Sequence, residues 1–188
     1  MNEFRCNTIE EALEDFKQGK MVIVVDDGDV ENDGALVVAG QFATPEAVNF
    51  MLSHGKGIMT MPVSEDVARK IGVEEQIWEN RELSRSLTVM TAAAETAGPE
   101  EFRRPGTIVP KVALQGGVLK RTGFTEAAVD LAQMAGLRPV GLRCGILDEE
   151  GAVAKVPKLL KFAEKYDLKI ITIADMIQYR QRTESFVS

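Results

Sequence analysis

The chain has 188 residues, 45% hydrophobic and 27% charged, with a formal net charge of -7. That length suits one domain, residues 1–188, with a substantial buried core, and the acidic balance excludes a general nucleic-acid binder, which needs clustered lysine and arginine. The apolar runs are too short to span a bilayer, and Met1 to Glu14 is polar with no apolar signal core, so the expectation is a cytoplasmic protein with no membrane partner.

In chain order, Thr8 to Gly19 predicts a first helix. Thr8 supplies the cap, Glu11 is its capping-box partner, and Ile9, Leu13 and Phe16 share one face. Met21 to Val25 is a β-rich run that delivers an acidic loop at 26–35. Leu36 to Phe42 could be strand or the start of a helix. Thr44 to Ser53 predicts a helix capped by Thr44 with Pro45 at its first position; Gly57 to Pro62 reads as a strand and Ser64 to Ile71 as a helix. The stretch from Val73 to Glu101 is the least regular, and Gly98-Pro99 ends any helix there. Thr107 to Val112 is then a strand, Gly116-Gly117 a turn, Thr125 to Ala135 a helix ending at Gly136, and Pro139 to Leu147 a strand. After a turn at Glu149-Glu150-Gly151, the chain closes as helix (Lys155 to Tyr166), strand (Lys169 to Ile173) and helix (Ala174 to Arg182). Strands alternating with helices predict an α/β sandwich.

Two segments carry chemistry. Between positions 26 and 33 lie Asp26, Asp27, Asp29, Glu31 and Asp33, with Gly28 and Gly34 allowing a tight path. Carboxylates this close repel one another unless a cation sits among them, so the loop is either a Mg²⁺ site or a solvated acidic turn. Arg121-Thr122-Gly123-Phe124-Thr125 precedes a helix, whose free N–H groups with an arginine and a threonine hydroxyl would cradle a phosphate. The plain alternative is a helix capped by Thr125 with Arg121 solvated. His54, the single histidine, reads as a structural or surface residue, Cys144 as a buried inert thiol, and Trp78 and Met90 as core or lid packing. With Cys6, Cys144 makes neither a zinc spacing nor a disulfide framework.

Four motifs occur in order: Asp26-Asp27-Gly28-Asp29-Val30-Glu31-Asn32-Asp33-Gly34-Ala35, Arg104-Pro105-Gly106-Thr107, Arg121-Thr122-Gly123-Phe124-Thr125-Glu126-Ala127, and Cys144-Gly145-Ile146. They resemble the 3,4-dihydroxy-2-butanone 4-phosphate synthase family of riboflavin biosynthesis, which usually reads DDEDRENEGD, RPGH, RxGHTEA and CEI there. The resemblance runs from about Thr8 to Arg182. It implies that family's α/β (α+β) sandwich, a mixed sheet with helices packed on it, and a homodimer with its sites at the subunit interface.

The resemblance also assigns roles. Arg121, Thr122, Gly123 and Thr125 would bind the phosphate of a phosphorylated or anionic small molecule. Glu31, Asp33 and Thr107 would be catalytic. Glu31 would hold Mg²⁺, the one cofactor implied, but its partner position is Phe124 in place of the family histidine. The other histidine is Thr107, the glutamate after cysteine is Gly145, and Val30 and Ala35 replace sugar-contacting Arg and Asp. The family's Gly-Val-Thr-Thr-Gly run has no match in Thr88 to Gly98, where the chain reads as shorter. These departures predict a homologue that keeps a sugar-phosphate pocket while the reaction from ribulose 5-phosphate to formate and dihydroxybutanone phosphate is lost or replaced. Two alternatives are a catalytically silent scaffold or partner subunit, and a still-active Mg²⁺-dependent synthase with a rearranged site.

Overall fold

The computed structural model describes residues 6–27, 29–73, 78–80 and 85–184, with the backbone alone at 78–80 and 103–107. Readings that rest on Gly28 or on the Trp78 side chain lie outside the described residues.

Seven strands form one mixed sheet in the order β4-β5-β3-β6-β2-β1-β7. β1 (Val22–Val25) pairs antiparallel with β2 (Gly34–Ala39) and parallel with β7 (Lys169–Thr172). β6 (Gly141–Ile146) lies antiparallel between β2 and β3 (Lys56–Val63). β5 (Phe102–Val112) runs parallel to β3 and antiparallel to β4 (Trp78–Asn80). β1 and β2 are buried at every position, which is why both read as unbroken apolar runs.

Helices cover both faces. On one, α1 (Ile9–Lys17), α5 (Phe124–Met134) and α7 (Ile173–Glu184) bury Leu13, Phe16, Leu131 and Met176 against Val22, Val24, Val37 and Ile171. On the other, α2 (Pro45–Phe50), α3 (Glu65–Ile71), α4 (Arg85–Ala93) and α6 (Val156–Tyr166) close over Ile23, Val25, Leu36, Met61, Leu142 and Cys144. Neighbouring residues of one strand therefore serve different cores, as a two-residue side-chain period requires. The expected mixed sheet with helices packed on it is present.

Local signals behave as physical chemistry dictates. Thr8 accepts from the Glu11 N–H while the Glu11 carboxylate accepts from the Thr8 N–H, a complete capping box. Gly136 closes α5 with φ of 72°, a backbone state that side-chain-bearing residues rarely adopt. Two elements differ from expectation. The helix from Thr44 continues through a π-helical turn, Met51–Gly55, before β3, and the irregular stretch contains α4. Among the described residues no helix is long and apolar enough to cross a membrane.

Candidate active site

The acidic loop connects β1 to β2, and its start is tied down where the Asp26 carbonyl accepts from the N–H groups of Ile173 and Ala174. Its carboxylates largely satisfy their own loop. Asp27 accepts from the Asp29 N–H at 2.7 Å and from the Asn32 amide, and Asp29 accepts from the Glu31 N–H at 3.0 Å. The Glu31 side chain is exposed, and Asp33 is half-buried, bridged through its backbone to Lys155. Among the described residues no three His, Cys, Asp or Glu side chains converge as a metal cage would require. Phe124 offers no lone pair, so a divalent cation would find only carboxylates of the acidic loop here, the exposed Glu31 and the half-buried Asp33 among them. Of the two side chains that the resemblance gives to Mg²⁺, Glu31 alone is present to hold it, with water and substrate oxygens left to supply the rest.

At the N-terminus of α5, the cap residue is Gly123 and no side chain caps the helix. Thr125 thus lies inside the first turn, and the alternative in which it caps the helix does not hold. The first amides of α5 are left for a ligand, with the positive end of an 11-residue helix dipole behind them. Arg121 is not simply solvated either. Its Nε and one Nη donate to the same oxygen of Glu126, at 2.9 and 2.5 Å. Glu126 is fully buried and also accepts from the Leu114 N–H at 3.0 Å. This carboxylate fastens the loop before α5 to the end of β5, and half of the Arg121 side chain remains exposed beside the free amides. Thr122 is exposed. The backbone of Thr107 lies within β5; its side chain is outside the described residues.

A residue the sequence reading passed over joins the two loops. Arg143 projects from β6, opposite Val37 of β2 and Thr60 of β3. Its guanidinium carbon lies 5.0 Å from the centroid of the Phe124 ring. Its Nε is buried without a hydrogen-bond partner. Burial pulls the guanidinium below its usual pKa range, while the Cys144 thiol and the Asp33 carboxylate oppose that shift. Arg143 thus stands between the acidic loop and the start of α5. The signal that could have found it is one cation in the middle of the apolar run Gly141-Leu142-Arg143-Cys144-Gly145-Ile146.

Two residues beside it shape the floor. A Cβ on Gly57 would meet the Gly145 carbonyl oxygen at 2.4 Å, so β3 and β6 approach here only because Gly57 lacks one. A Cβ on Gly145 would meet nothing nearer than the Gly57 Cα at 3.8 Å. The remaining expectations are simple. His54 is exposed, stacks with Phe50 and Tyr166, and shares a 3.0 Å hydrogen bond with the Tyr166 hydroxyl, so it is a surface structural residue. Cys144 is buried and its thiol is pushed up by that burial.

A family model for 3,4-dihydroxy-2-butanone 4-phosphate synthase matches residues 10–84 and 80–179. Riboflavin biosynthesis protein RibBA of Aquifex aeolicus (strain VF5) is 43% identical over 209 residues, spanning 98% of this chain and 52% of that protein. A 3,4-dihydroxy-2-butanone 4-phosphate synthase of Neisseria meningitidis serogroup B is 44% identical over 201 residues, spanning 95% of this chain and 55% of that protein. The chain spans about half the length of these relatives. The two matched segments meet at residues 80–84, inside the irregular stretch from Val73 to Glu101 and ahead of Thr88. A crystal structure of the synthase of Candida albicans superposes with a TM-score of 0.90 at 33% identity, covering 94% of this chain and 98% of that one. A synthase in complex with two magnesium ions superposes at 0.89 with 29% identity, covering 95% and 98%.

These comparisons overturn one expectation. The loss or replacement of the parental reaction was argued from a few side chains, chiefly Thr107, Phe124 and Gly145. Relatives more than 40% identical across nearly the whole chain carry the synthase and riboflavin-biosynthesis names, which points to the parental activity. The physical reason is that a few missing side chains remove particular proton carriers, whereas identity across nearly the whole chain keeps the scaffold around them.

Proposed function

The chain belongs to the 3,4-dihydroxy-2-butanone 4-phosphate synthase family, and from that premise we propose that it is a working synthase, splitting ribulose 5-phosphate into 3,4-dihydroxy-2-butanone 4-phosphate and formate. Five carbons enter; four leave as the phosphorylated ketone and one as formate. The water lost on the way is regained, so the net reaction needs no oxidant and no second substrate.

The observation that carries this reading is that β6 sets Arg143 against Phe124 at the start of α5, while Gly145, two residues on, pairs with Ala35 just past the acidic loop. An anionic sugar fits that arrangement. The phosphate takes the uncapped amides of α5, with Gly123, Thr122, Thr125 and the exposed part of Arg121 around it. The carbon chain then runs toward Asp33 and Glu31, which exchange protons with its hydroxyls. Thr107, where the family has a histidine, offers in its place a hydroxyl able to share a hydrogen bond. With Thr107 and Gly145 where the family has acid–base side chains, turnover falls below that of a relative that keeps them, because each lost acid or base typically costs roughly 10²- to 10⁴-fold.

The family's homodimer is part of the proposal. Ile58 precedes the buried Met59 at an irregularity in the pairing of β3 with β6 and is 75% exposed. An apolar side chain there suits a second copy of the chain as cover. Sedimentation would show a dimer that Ile58→Asp weakens; a monomer at all concentrations would remove this part. Formate release from labelled ribulose 5-phosphate, followed by NMR, tests the activity itself.

A further inference from the structure

We propose that the cleft between the π-helical turn and α6 is a second binding site, which takes a phosphorylated compound with an aromatic ring, of mononucleotide size. The cleft has a volume of about 390 Å³ and is lined by Ser53, His54 and Lys56 from the turn and its end, and by Lys158, Phe162 and Tyr166 from α6. That volume lies in the range of small-molecule pockets, roughly 300–1,000 Å³. The candidate active site is on the other face of the sheet. Arg143 pairs with Val37 and shares its face, the one under α1, α5 and α7, and so does Gly145, two residues on. Ile146, which lines the cleft, belongs to the core under α6. This site therefore stands apart from the synthase reading.

Charge is the first indication. The chain carries a net charge of -7, yet four lysines, Lys56, Lys158, Lys161 and Lys165, line this cleft against two carboxylates, Asp148 and Glu149. Asp148 is already used. One of its oxygens accepts from Lys158 at 2.6 Å, and the other from the N–H groups of Glu150 and Ala152 at 2.9 Å. Lys158 is committed by that pair, whereas Lys56 and Lys161 are exposed and make no ion pair among the described residues. Lys158, Lys161 and Lys165 form one stripe of α6, on the side away from its buried Val156, Leu159 and Ala163. Such a stripe alone is a solvated helix face; what faces it here makes the difference.

The facing segment is strained and aromatic. The π turn Met51–Gly55 is a rare form that recurs at functional sites. Directly after it Lys56 takes φ of 65° and ψ of -3°, a left-handed state that is costly for a residue with a side chain and persists where the surroundings impose it. Glycine would sit there at lower cost; the chain has a lysine, aimed from the cleft wall. The His54 and Tyr166 rings lie 4.9 Å apart, joined by the 3.0 Å hydrogen bond between the Tyr166 hydroxyl and His54 Nδ1, and Phe162 packs on Tyr166 at 4.7 Å. Tyr166 is thereby held as a wall, with the Lys165 ammonium 5.2 Å from its ring centroid. Aromatic rings bordered by free ammonium groups match a ligand that stacks a planar ring and carries a phosphate. A plain sugar phosphate would engage the lysines and leave the rings unused.

The test is calorimetric titration of the full chain with adenosine 5′-monophosphate, adenosine and inorganic phosphate, with ribulose 5-phosphate added as a competitor. The monophosphate binds more tightly than either fragment, and ribulose 5-phosphate does not displace it. Lys56→Gly combined with Lys161→Ala weakens that binding roughly 10- to 100-fold, the worth of a charged hydrogen bond. Both side chains are exposed, so this double variant keeps its fold, which a thermal melt verifies. Tyr166→Leu weakens binding roughly 5- to 100-fold, the worth of one stacked base, and Tyr166→Phe, which keeps the ring, restores most of it. Should Tyr166→Leu melt early, the lysine pair decides. The inference is overturned by a monophosphate that does not bind or binds no better than inorganic phosphate. It is equally overturned by binding that the lysine changes leave intact, or by displacement with ribulose 5-phosphate, which would put the nucleotide in the candidate active site.

Discussion

Arg143 lies across the ring of Phe124, its guanidinium carbon 5.0 Å from the ring centroid. The contact joins the central strand β6 to the first residue of α5, so it couples sheet and helix as well as two charged loops. A double-mutant cycle with Phe124→Leu and Arg143→Leu, read by urea denaturation, is expected to give a coupling of about 0.5–2 kcal/mol, the range for a cation on an aromatic face. Purely additive effects would mean that the two side chains merely lie near each other.

Gly145 offers a gain-of-function prediction. A Cβ there meets no atom nearer than 3.8 Å, and the resemblance puts the family's glutamate at this position. Gly145→Glu should therefore fold and raise formate release, by roughly 10²- to 10⁴-fold for a restored general acid or base. An unchanged rate in a folded variant would show that proton transfer at this point does not limit turnover.

Asp130 and Arg180 form the buried ion pair that fixes the Gly116-Gly117 turn. Asp130 accepts from the Val118 N–H at 2.9 Å and from Arg180 at 2.7 Å, and a Cβ on Gly117 would clash with its carboxylate. Arg180→Met leaves that carboxylate unpaired and is expected to cost about 3–5 kcal/mol. Burial, the largest influence, already holds the Asp130 pKa above its ordinary value. The protonated form is thus favoured by folding, and its contribution is full below the unfolded pKa and is lost as pH rises through the folded one. Without Arg180 the folded pKa rises further, so the deficit should be largest at neutral pH and shrink toward about pH 4. A deficit independent of pH would argue that Arg180 acts through packing alone.

The thiols give a check that is independent of the active site. Burial, with Asp175 adding to it, pushes the Cys6 thiol up to about 12, and burial raises Cys144 as well. Since the thiolate is the reactive form, both should resist Ellman's reagent at about pH 8 in the folded chain and react rapidly in guanidinium. Fast reaction of the folded protein would contradict the burial of one of them.

Much of this was legible from residues alone, and the exceptions have physical causes. The Thr8–Glu11 box, Pro45 at a helix start and Gly136 at a helix end are local devices, readable because their partners lie within four residues. Helix α4 was not legible, because Thr88-Val89-Met90-Thr91 has weak helical preference and is held by packing of Val89 and Ala92 into the larger core. At the candidate site, motif order singled out two loops, which the fold places after β1 and before α5. It could not show that Arg121 is tied to Glu126, nor that Arg143 reaches Phe124, since that pair is 19 residues apart and meets only through the sheet. Reading function from absent side chains failed for a related reason: such a list counts what left the site and misses what strand β6 brought into it.

The most direct test of the account is formate production from labelled ribulose 5-phosphate by the purified chain, followed by NMR with and without Mg²⁺. The account predicts formate and dihydroxybutanone phosphate in equal amounts, at a rate below that of a relative carrying the family's histidines and glutamate. Ribulose 5-phosphate left unchanged under both conditions, by protein that is folded and binds it, would contradict it.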